Sequence, residues 1–181
     1  DFGGPIGLSY AVEHPDRVRG LVLFNTWMWS LANSQAATLS RIFASPLGRF
    51  LYLRLNFSPR MLLPMLFADK SKLTPELKSA YTGAFSKPAD RFAPWTFAKE
   101  LLNSSEWYES LWKQRGNLAA LPVLLLWGMQ DKAFRTDALE RWQQALPHAR
   151  TVSFPDCGHL VQEESPEKAM HEVIGFLKSL E

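Results

Sequence analysis

The sequence predicts an α/β fold in which parallel strands alternate with helices. Apolar runs without helical periodicity occur at 18–24, 122–127 and 149–154, which is typical of strands buried on both faces of a parallel sheet. Segments with helical spacing of apolar residues lie between these runs, and Gly-, Pro- and Asp-containing turns separate them. With 181 residues, of which 46% are hydrophobic, the chain has enough apolar material for a domain-sized core.

The order of these segments predicts how the chain is organised. A first helix is expected within 1–13, ending at His14–Pro15 because proline disfavours helix in the preceding residue. Between the first and second strands, helical patches are interrupted by prolines and carry five of the seven tryptophans. The sequence therefore predicts three segments, namely a core segment at 1–26, a helical insertion at 27–118 and a second core segment at 119–181.

Two further helices are predicted in the second core segment. One runs from about Thr136 to Leu146, with Thr136 or Asp137 as its N-cap. The other begins with Ser165 as N-cap and Pro166 at the first helical position. Its buried stripe is expected to consist of Ala169, Val173, Ile174 and Leu177.

Composition and charge argue against several classes of protein. The 20 basic and 18 acidic residues give a net charge of +2, and the basic residues form no cluster that would indicate nucleic-acid binding. Apolar runs such as 121–127 are far shorter than the roughly 20 residues of a membrane helix. The single cysteine, Cys157, cannot form an internal disulfide. We expect a cytoplasmic protein with no metal, no cofactor and no membrane partner.

Three residues that could carry chemistry occupy loops beside predicted strands. Asp1 precedes a Gly-rich entry into the first helix, Asp131 follows the second strand, and His159 follows the third. Because ligands of open α/β sheets bind at the carboxyl ends of the strands, we expect these residues to meet. A carboxylate at a helix N-terminus, a histidine base and an aspartate that orients the histidine together suit nucleophilic catalysis.

The segments around these residues resemble known α/β-hydrolase motifs. Residues 1–4 (Asp-Phe-Gly-Gly) resemble the nucleophile elbow, 124–131 the strand that delivers the acid, and 156–164 the histidine loop. The chain is therefore similar to the C-terminal part of an α/β-hydrolase of the haloalkane dehalogenase and epoxide hydrolase branch. The resemblance implies a core with a helical cap, and the strands that precede the elbow in this family are absent from the sequence.

The resemblance also implies a mechanism. Asp1 attacks an sp³ carbon of a hydrophobic small molecule and forms an alkyl ester, His159 activates water, and Asp131 orients His159. The Phe2 backbone N–H is expected to serve as an oxyanion donor. An amide cannot act as the acid, so Asn25 is expected instead to point its side-chain amide at a leaving halide.

Phe2 is a departure from the family pattern, because dehalogenases typically carry tryptophan beside the nucleophile and phenylalanine has no N–H donor. The insertion offers indole donors at Trp27, Trp29, Trp95, Trp107 and Trp112, of which we select Trp27, Trp29 and Trp95 as substrate-binding residues. An epoxide hydrolase would instead use phenols, and Tyr52, Tyr81 and Tyr108 are available.

Dehalogenase-like hydrolysis is the first hypothesis, epoxide hydrolysis the second, and a non-catalytic hydrolase-like binding module or fragment the third. The sequence lacks an initiator methionine, which suggests a fragment or a processed product. Three strands from one side of a larger sheet would leave a strand edge uncovered. We therefore expect the isolated chain to be marginally stable, and to self-associate or to be complemented by an N-terminal half.

Overall fold

A computed structural model describes all 181 residues and contains a three-stranded parallel sheet in the order β1-β2-β3. The strands are β1 (Leu21–Phe24), β2 (Val123–Gly128) and β3 (Arg150–Phe154). The central strand β2 is buried at every residue, which explains its unbroken apolar sequence. The predicted α/β class and its three strands are confirmed. β1 begins at Leu21 rather than at 18, because Pro15–Arg17 forms a 3₁₀ turn that ends at Val18.

The chain also contains ten α-helices. They are α1 (Gly3–Glu13), α2 (Gln35–Ala44), α3 (Pro46–Leu55), α4 (Leu63–Leu66), α5 (Pro75–Gly83), α6 (Phe92–Asn103), α7 (Ser105–Lys113), α8 (Thr136–Ala145), α9 (Val161–Glu164) and α10 (Pro166–Lys178). Shorter 3₁₀ turns lie at Pro15–Arg17, Lys70–Lys72, Pro88–Arg91 and Arg115–Leu118, and a π-helical turn at Ser58–Leu62. None of the helices has the length and hydropathy that a membrane span requires.

The chain divides into two compact units. The sheet unit consists of Asp1–Met28, Leu66–Asp69 and Ser110–Glu181, and the helical unit of Trp29–Met65 and Lys70–Glu109. The helical unit therefore contains fewer residues than the predicted insertion at 27–118. Leu66–Asp69 belongs to the sheet unit because its main chain is hydrogen-bonded to the histidine loop.

The core of the sheet unit lies between the sheet and the two last helices. It includes Leu124, Leu126, Phe154, Val161 and Phe176. Pro166 opens α10 with Ser165 at the N-cap position, as predicted. The predicted apolar stripe of α10 is partly wrong: Ile174 and Leu177 are 45% and 51% exposed, whereas Phe176 is buried. The buried face follows Ala169, Val173 and Phe176, and a one-residue step along a helix rotates a side chain by about 100° away from such a face.

The starts of three helices show what the N-terminal residues do. The predicted N-caps of α8 are wrong, since Thr136 is already helical and Arg135 holds the N-cap position without a side-chain hydrogen bond. In the helical unit, prolines begin helices: Pro46 and Pro75 follow Ser45 and Thr74, whose hydroxyls accept main-chain N–H groups. Proline fits the first helical turn because its missing N–H is not needed there.

The helical unit contains an apolar cluster and a buried cation. Its apolar cluster consists of Phe43, Tyr52 and Ala98, with Phe57, Leu62 and Trp95 packed against them. The guanidinium group of Arg91 is buried and donates hydrogen bonds to the carbonyl oxygens of Leu53, Arg54, Phe85 and Ser86. Because two of these carbonyls lie in the last turn of α3, the cation also interacts favourably with that helix end.

Candidate active site

The carboxyl edge of the sheet brings the three predicted catalytic residues together. The His159 Nδ1 atom lies 2.7 Å from the Asp131 Oδ2 atom, and the His159 Nε2 atom lies 3.7 Å from the Asp1 Oδ2 atom. The imidazole therefore stands between two carboxylates. His159 and Asp131 are buried, whereas the Asp1 side chain is 53% exposed and accessible to a ligand.

Asp131 is anchored by three hydrogen-bond donors. Its Oδ1 atom accepts the Ala133 N–H at 2.7 Å, and its Oδ2 atom accepts the Asn25 side-chain amide at 2.9 Å in addition to His159. A buried carboxylate needs such partners to offset its lost hydration. An ionised carboxylate only accepts hydrogen bonds, so the His159 Nδ1 atom must carry the proton that Asp131 accepts. In a neutral imidazole the other nitrogen, Nε2, is then an acceptor, and it faces Asp1.

An aromatic stack lines one side of the site. The Phe134 ring lies 5.8 Å from the His159 ring and stacks on Trp27 at 5.0 Å between centroids. Trp27 in turn meets Phe2 edge to face at 5.0 Å. The main chain of Phe134 is held by the Trp127 indole, which donates to its carbonyl oxygen at 3.0 Å. Apolar rings therefore connect the elbow to the histidine.

The Asp1–Gly4 turn, which resembles a nucleophile elbow, is fixed on the end of β1. The Asp1 main-chain nitrogen donates to the Asn25 carbonyl oxygen at 3.2 Å, and the Thr26 hydroxyl donates to the Asp1 carbonyl oxygen at 2.6 Å. A Cβ atom on Gly4 would lie 1.8 Å from the Thr26 hydroxyl oxygen. Gly4 thus permits a close approach that no other residue type allows, and Phe2 takes the N-cap position of α1.

The histidine loop is fixed on the end of β2 in the same way. A Cβ atom on Gly128 would lie 1.8 Å from the Gly158 carbonyl oxygen. The Gln130 N–H donates to the Cys157 carbonyl oxygen at 2.9 Å. Because Gly128 has no side chain, the loop that carries His159 can lie close to the end of the strand that precedes Asp131.

The Asn25 side-chain amide is bound within the protein and does not point at a leaving halide, contrary to what the sequence suggested. This residue is fully buried, with φ of 22°, a left-handed backbone region that asparagine tolerates better than most residues. Its amide nitrogen donates to the Gly128 carbonyl oxygen at 3.1 Å and to Asp131 at 2.9 Å, and its amide oxygen accepts the Gly128 N–H at 2.8 Å. The expectation for Asn25 is corrected, because both its N–H groups serve the protein interior.

The three selected tryptophans lie in two different places. Trp27 belongs to the sheet unit and is fully buried in the aromatic stack, whereas Trp29 and Trp95 belong to the helical unit. The Trp95 indole donates to the Phe43 carbonyl oxygen at 2.9 Å, and the Lys99 ammonium lies 3.9 Å from its ring centroid. The Trp95 N–H is therefore used within the core of the helical unit.

The phenols considered for an epoxide also belong to the helical unit. Burial raises the pKa of Tyr52, and burial together with the negative charge of Glu100 raises the pKa of Tyr108 to about 12. A raised pKa makes a phenol a weaker proton donor. Tyr81 is half-buried in α5.

Two residues near the site were not singled out from the sequence. Phe134 shields one face of His159, and Glu164 is a buried carboxylate that accepts hydrogen bonds from the backbone N–H groups of Ala68, Asp69 and Gly158. A lone phenylalanine in a turn carries no periodic signal. Glu164 lies inside the segment that resembles the histidine loop, but acidic residues are rarely buried, so no pattern marked it.

Comparison with known proteins shows the family of the chain. The α/β hydrolase fold family matches residues 1–166, and the chain belongs to that family. Its relatives include haloalkane dehalogenase 2 of Mycobacterium tuberculosis and Mycobacterium bovis, at 31% identity over 96% of this chain. A cis-3-alkyl-4-alkyloxetan-2-one decarboxylase of Shewanella oneidensis is 25% identical over the whole chain. The chain spans 61% of the length of the dehalogenases and 59% of that of the decarboxylase.

Solved structures give the same result for the fold. An ancestral haloalkane dehalogenase superposes with a TM-score of 0.78 and 27% identity, over 99% of this chain and 66% of its own. The haloalkane dehalogenase DatA of Agrobacterium tumefaciens superposes with a TM-score of 0.83 and 23% identity, over 100% of this chain and 65% of its own. The latter likeness concerns the fold alone. The resemblance inferred from the sequence is confirmed.

Proposed function

We propose that the chain carries the catalytic residues of a haloalkane dehalogenase-like hydrolase, with Asp1 as nucleophile, His159 as base and Asp131 as the acid that orients it. The observation that carries this proposal is the position of His159, whose Nδ1 atom contacts one carboxylate and whose Nε2 atom faces the other. The exposed carboxylate is assigned as the nucleophile because it is open to a substrate, and the buried one orients the imidazole through its hydrogen bond at Nδ1.

The reaction proceeds in two steps. An Asp1 carboxylate oxygen attacks the sp³ carbon that bears the halogen; a carbon–oxygen bond forms, and the halide leaves with the electrons of the carbon–halogen bond. The His159 Nε2 atom then removes a proton from water, whose oxygen adds to the ester carbonyl carbon. The Phe2 backbone N–H stabilises the resulting oxyanion. On collapse of this intermediate, the bond between the ester carbonyl carbon and the alkyl oxygen breaks, and the departing oxygen takes the proton held by His159 and leaves as the alcohol. The carboxylic acid left on Asp1 releases its proton to solvent, which restores the Asp1 carboxylate.

Asn25 and Trp27 have separate parts in this proposal. Asn25 positions Asp131, since its amide bridges Gly128 and the carboxylate. Trp27 is the selected tryptophan that shares the sheet unit with the three catalytic residues, and its ring contacts both Phe2 and Phe134. We assign it the substrate-side role that the absent tryptophan at position 2 has in dehalogenases.

The Trp27 assignment is tested with Trp27→Phe, which keeps the ring contacts but removes the indole N–H. We expect halide binding to weaken by roughly 10- to 150-fold, since one hydrogen bond to a charged group contributes about 1.5–3 kcal/mol. Stopped-flow halide titration measures this effect, and Trp112→Phe, outside the aromatic stack, is the control. Unchanged halide affinity in Trp27→Phe would assign the halide to another residue.

The nucleophile is tested by intact mass. The His159→Gln variant lacks the base for the second step, so incubation with 1-bromobutane is expected to leave a butyl adduct on Asp1. An adduct from an epoxide panel, carrying the mass of the whole epoxide, would instead favour epoxide hydrolysis. A folded variant that forms no adduct with either panel would favour the non-catalytic binding module. The protein is used at its full natural length, with Asp1→Asn as the control.

The free edge of β1 supports the proposed complementation by an N-terminal half. β1 pairs on one side with β2, and its other side borders a groove of about 440 Å³ lined by α1 and β1 residues including Leu8, Ala11 and Val22. An uncovered edge presents main-chain groups that another strand can pair with. We expect the isolated chain to associate or aggregate in size-exclusion chromatography, and a monomeric, cooperatively folding and active chain would contradict this.

A further inference from the structure

Glu164 is a buried carboxylate that the proposed mechanism leaves unused. It ends the short helix α9 and is 6% exposed. Its Oε1 atom accepts the N–H groups of Ala68 and Asp69, both at 2.9 Å, and its Oε2 atom accepts the Gly158 N–H at 2.6 Å. All three donors are main-chain groups, so the carboxylate joins two segments of backbone that lie far apart in the sequence.

These hydrogen bonds form a closed ring with His159. Gly158, whose main-chain N–H donates to Glu164, directly precedes His159. The main-chain N–H of His159 donates to the Leu66 carbonyl oxygen at 2.9 Å. Leu66 and Ala68 belong to the same segment, and Ala68 returns to Glu164. The main chain of His159 is therefore connected to Glu164 through its own loop and through Leu66–Asp69.

The packing leaves little space for the segments joined by these hydrogen bonds to move apart or together. A Cβ atom on Gly158 would lie 2.3 Å from the Leu66 carbonyl oxygen and 2.8 Å from the Ala68 nitrogen. Asp131 binds the imidazole at Nδ1 and Phe134 covers one of its faces, but neither contact is made by the main chain that carries the side chain. The 3.7 Å between Nε2 and Asp1 is longer than a direct hydrogen bond, so the direction of Nε2 depends on where the main chain of His159 lies.

We infer that Glu164 is a positioning residue for the second step, holding the histidine loop so that the His159 Nε2 atom can activate water at the Asp1 ester. This inference rests on the proposed function. The first step needs only the Asp1 carboxylate, and Glu164 makes none of the contacts that hold Asp1. Loss of Glu164 therefore slows ester hydrolysis and leaves ester formation unchanged, a division that a general loss of stability does not produce.

The decisive variant is Glu164→Gln. Glutamine has one acceptor oxygen and an NH₂ donor, so it cannot accept from both backbone segments and places N–H against N–H. With 1-bromobutane, rapid quench and intact mass, we expect ester formation within twofold of wild type and ester hydrolysis slowed by roughly 10- to 100-fold, the cost of a small misplacement of a catalytic group. The covalent ester then accumulates. Glu167→Gln, an exposed acidic position in α10, is the matched control and is expected to behave as wild type.

Glu164→Asp keeps both acceptor oxygens on a shorter stem, so it is expected to leave ester formation unchanged and to slow ester hydrolysis measurably, though less than Glu164→Gln does. If Glu164→Gln fails to fold, Glu164→Asp decides by the same ratio of the two steps. Equal slowing of both steps, or hydrolysis at the wild-type rate, overturns the inference. His159→Gln separates the two proposals. If His159→Gln forms no ester, Asp1 is not the nucleophile and the proposed function fails. If the ester accumulates in His159→Gln but not in Glu164→Gln, only the role of Glu164 is rejected.

Discussion

The two units of the chain each bury a charged side chain that binds the main chain, but the charges have opposite sign and different neighbours. In the helical unit, Arg91 donates to four carbonyl oxygens around the end of α3 and the turn at Phe85–Ser86. In the sheet unit, Glu164 accepts three N–H groups beside His159. A buried charge bound to main-chain groups therefore lies at a helix end in one unit and beside His159 in the other.

This difference leads to distinct expectations for the two units. Removing a buried charge from the helical unit is expected to lower stability alone, because its partners are carbonyls of the helical core. Removing one beside the active site is expected to change individual steps of the reaction. The carboxylates Asp131 and Glu164 and the close glycine contacts of the sheet unit are the places to test this contrast.

The largest effect is expected from Asp131→Asn. The amide would favour the wrong tautomer of His159, and ester hydrolysis is expected to fall by roughly 10³- to 10⁴-fold, as in comparable triads. Rapid-quench kinetics with 1-bromobutane measures the two steps separately. Asp137→Asn, on an exposed position of α8, is the control. Full turnover by Asp131→Asn would remove Asp131 from the mechanism.

Gly128→Ala is expected to come next. Its Cβ atom would lie 1.8 Å from the Gly158 carbonyl oxygen, so the histidine loop must move away from β2. We expect a loss of about 2–4 kcal/mol in the free energy of unfolding, typical of overpacking and strain. Urea denaturation of the full-length protein, followed by circular dichroism, measures it.

The matched control for that variant is Gly175→Ala. Gly175 lies inside α10, and a Cβ atom added to it would have nothing within 4 Å, so alanine there is expected to stabilise by roughly 0.5–1 kcal/mol. If both glycine variants changed stability equally, the close contact between β2 and the histidine loop would have no energetic importance.

Arg91→Met tests whether the buried charge of the helical unit affects stability alone. The apolar side chain leaves buried carbonyl groups without donors, and the unfolding free energy of the helical unit is expected to fall by about 3 kcal/mol. At temperatures where the variant is folded, the ratio of ester hydrolysis to ester formation should equal that of wild type. A selective change in ester hydrolysis would show that the contrast between the two units is wrong.

The smallest effect is expected at alkaline pH. The pKa of Tyr108 is about 12 in the folded chain against 10.0 for an ordinary tyrosine, so the unfolded state releases this proton first. The stability that this group contributes is complete below pH 10 and falls as the pH rises from 10 toward 12. Tyr108→Phe should make urea midpoints less sensitive to pH over this interval. Parallel curves for both proteins would show that Tyr108 ionises equally in the two states.

Much of the sheet unit could be predicted from the sequence. The unbroken apolar run of β2 and the loops carrying Asp131 and His159 have local signals, because buried parallel strands and the turns after them restrict residue types. The roles of Asn25 and Glu164 could not be predicted. Each depends on main-chain groups brought close by folding, such as Gly128 for Asn25 and Ala68 for Glu164. The exposed faces of α10 were mispredicted since periodicity alone does not say which apolar residue meets the sheet.

The central claim is that Asp1 forms a covalent ester that water hydrolyses at its carbonyl carbon. A single turnover of 1-bromobutane by the full-length protein in oxygen-18 water tests it most directly. We expect the butanol to carry ordinary oxygen from the Asp1 carboxylate and the peptide containing Asp1 to gain one oxygen-18 atom. Oxygen-18 in the butanol, with none in Asp1, would mean that water attacks the substrate directly and would contradict this mechanism.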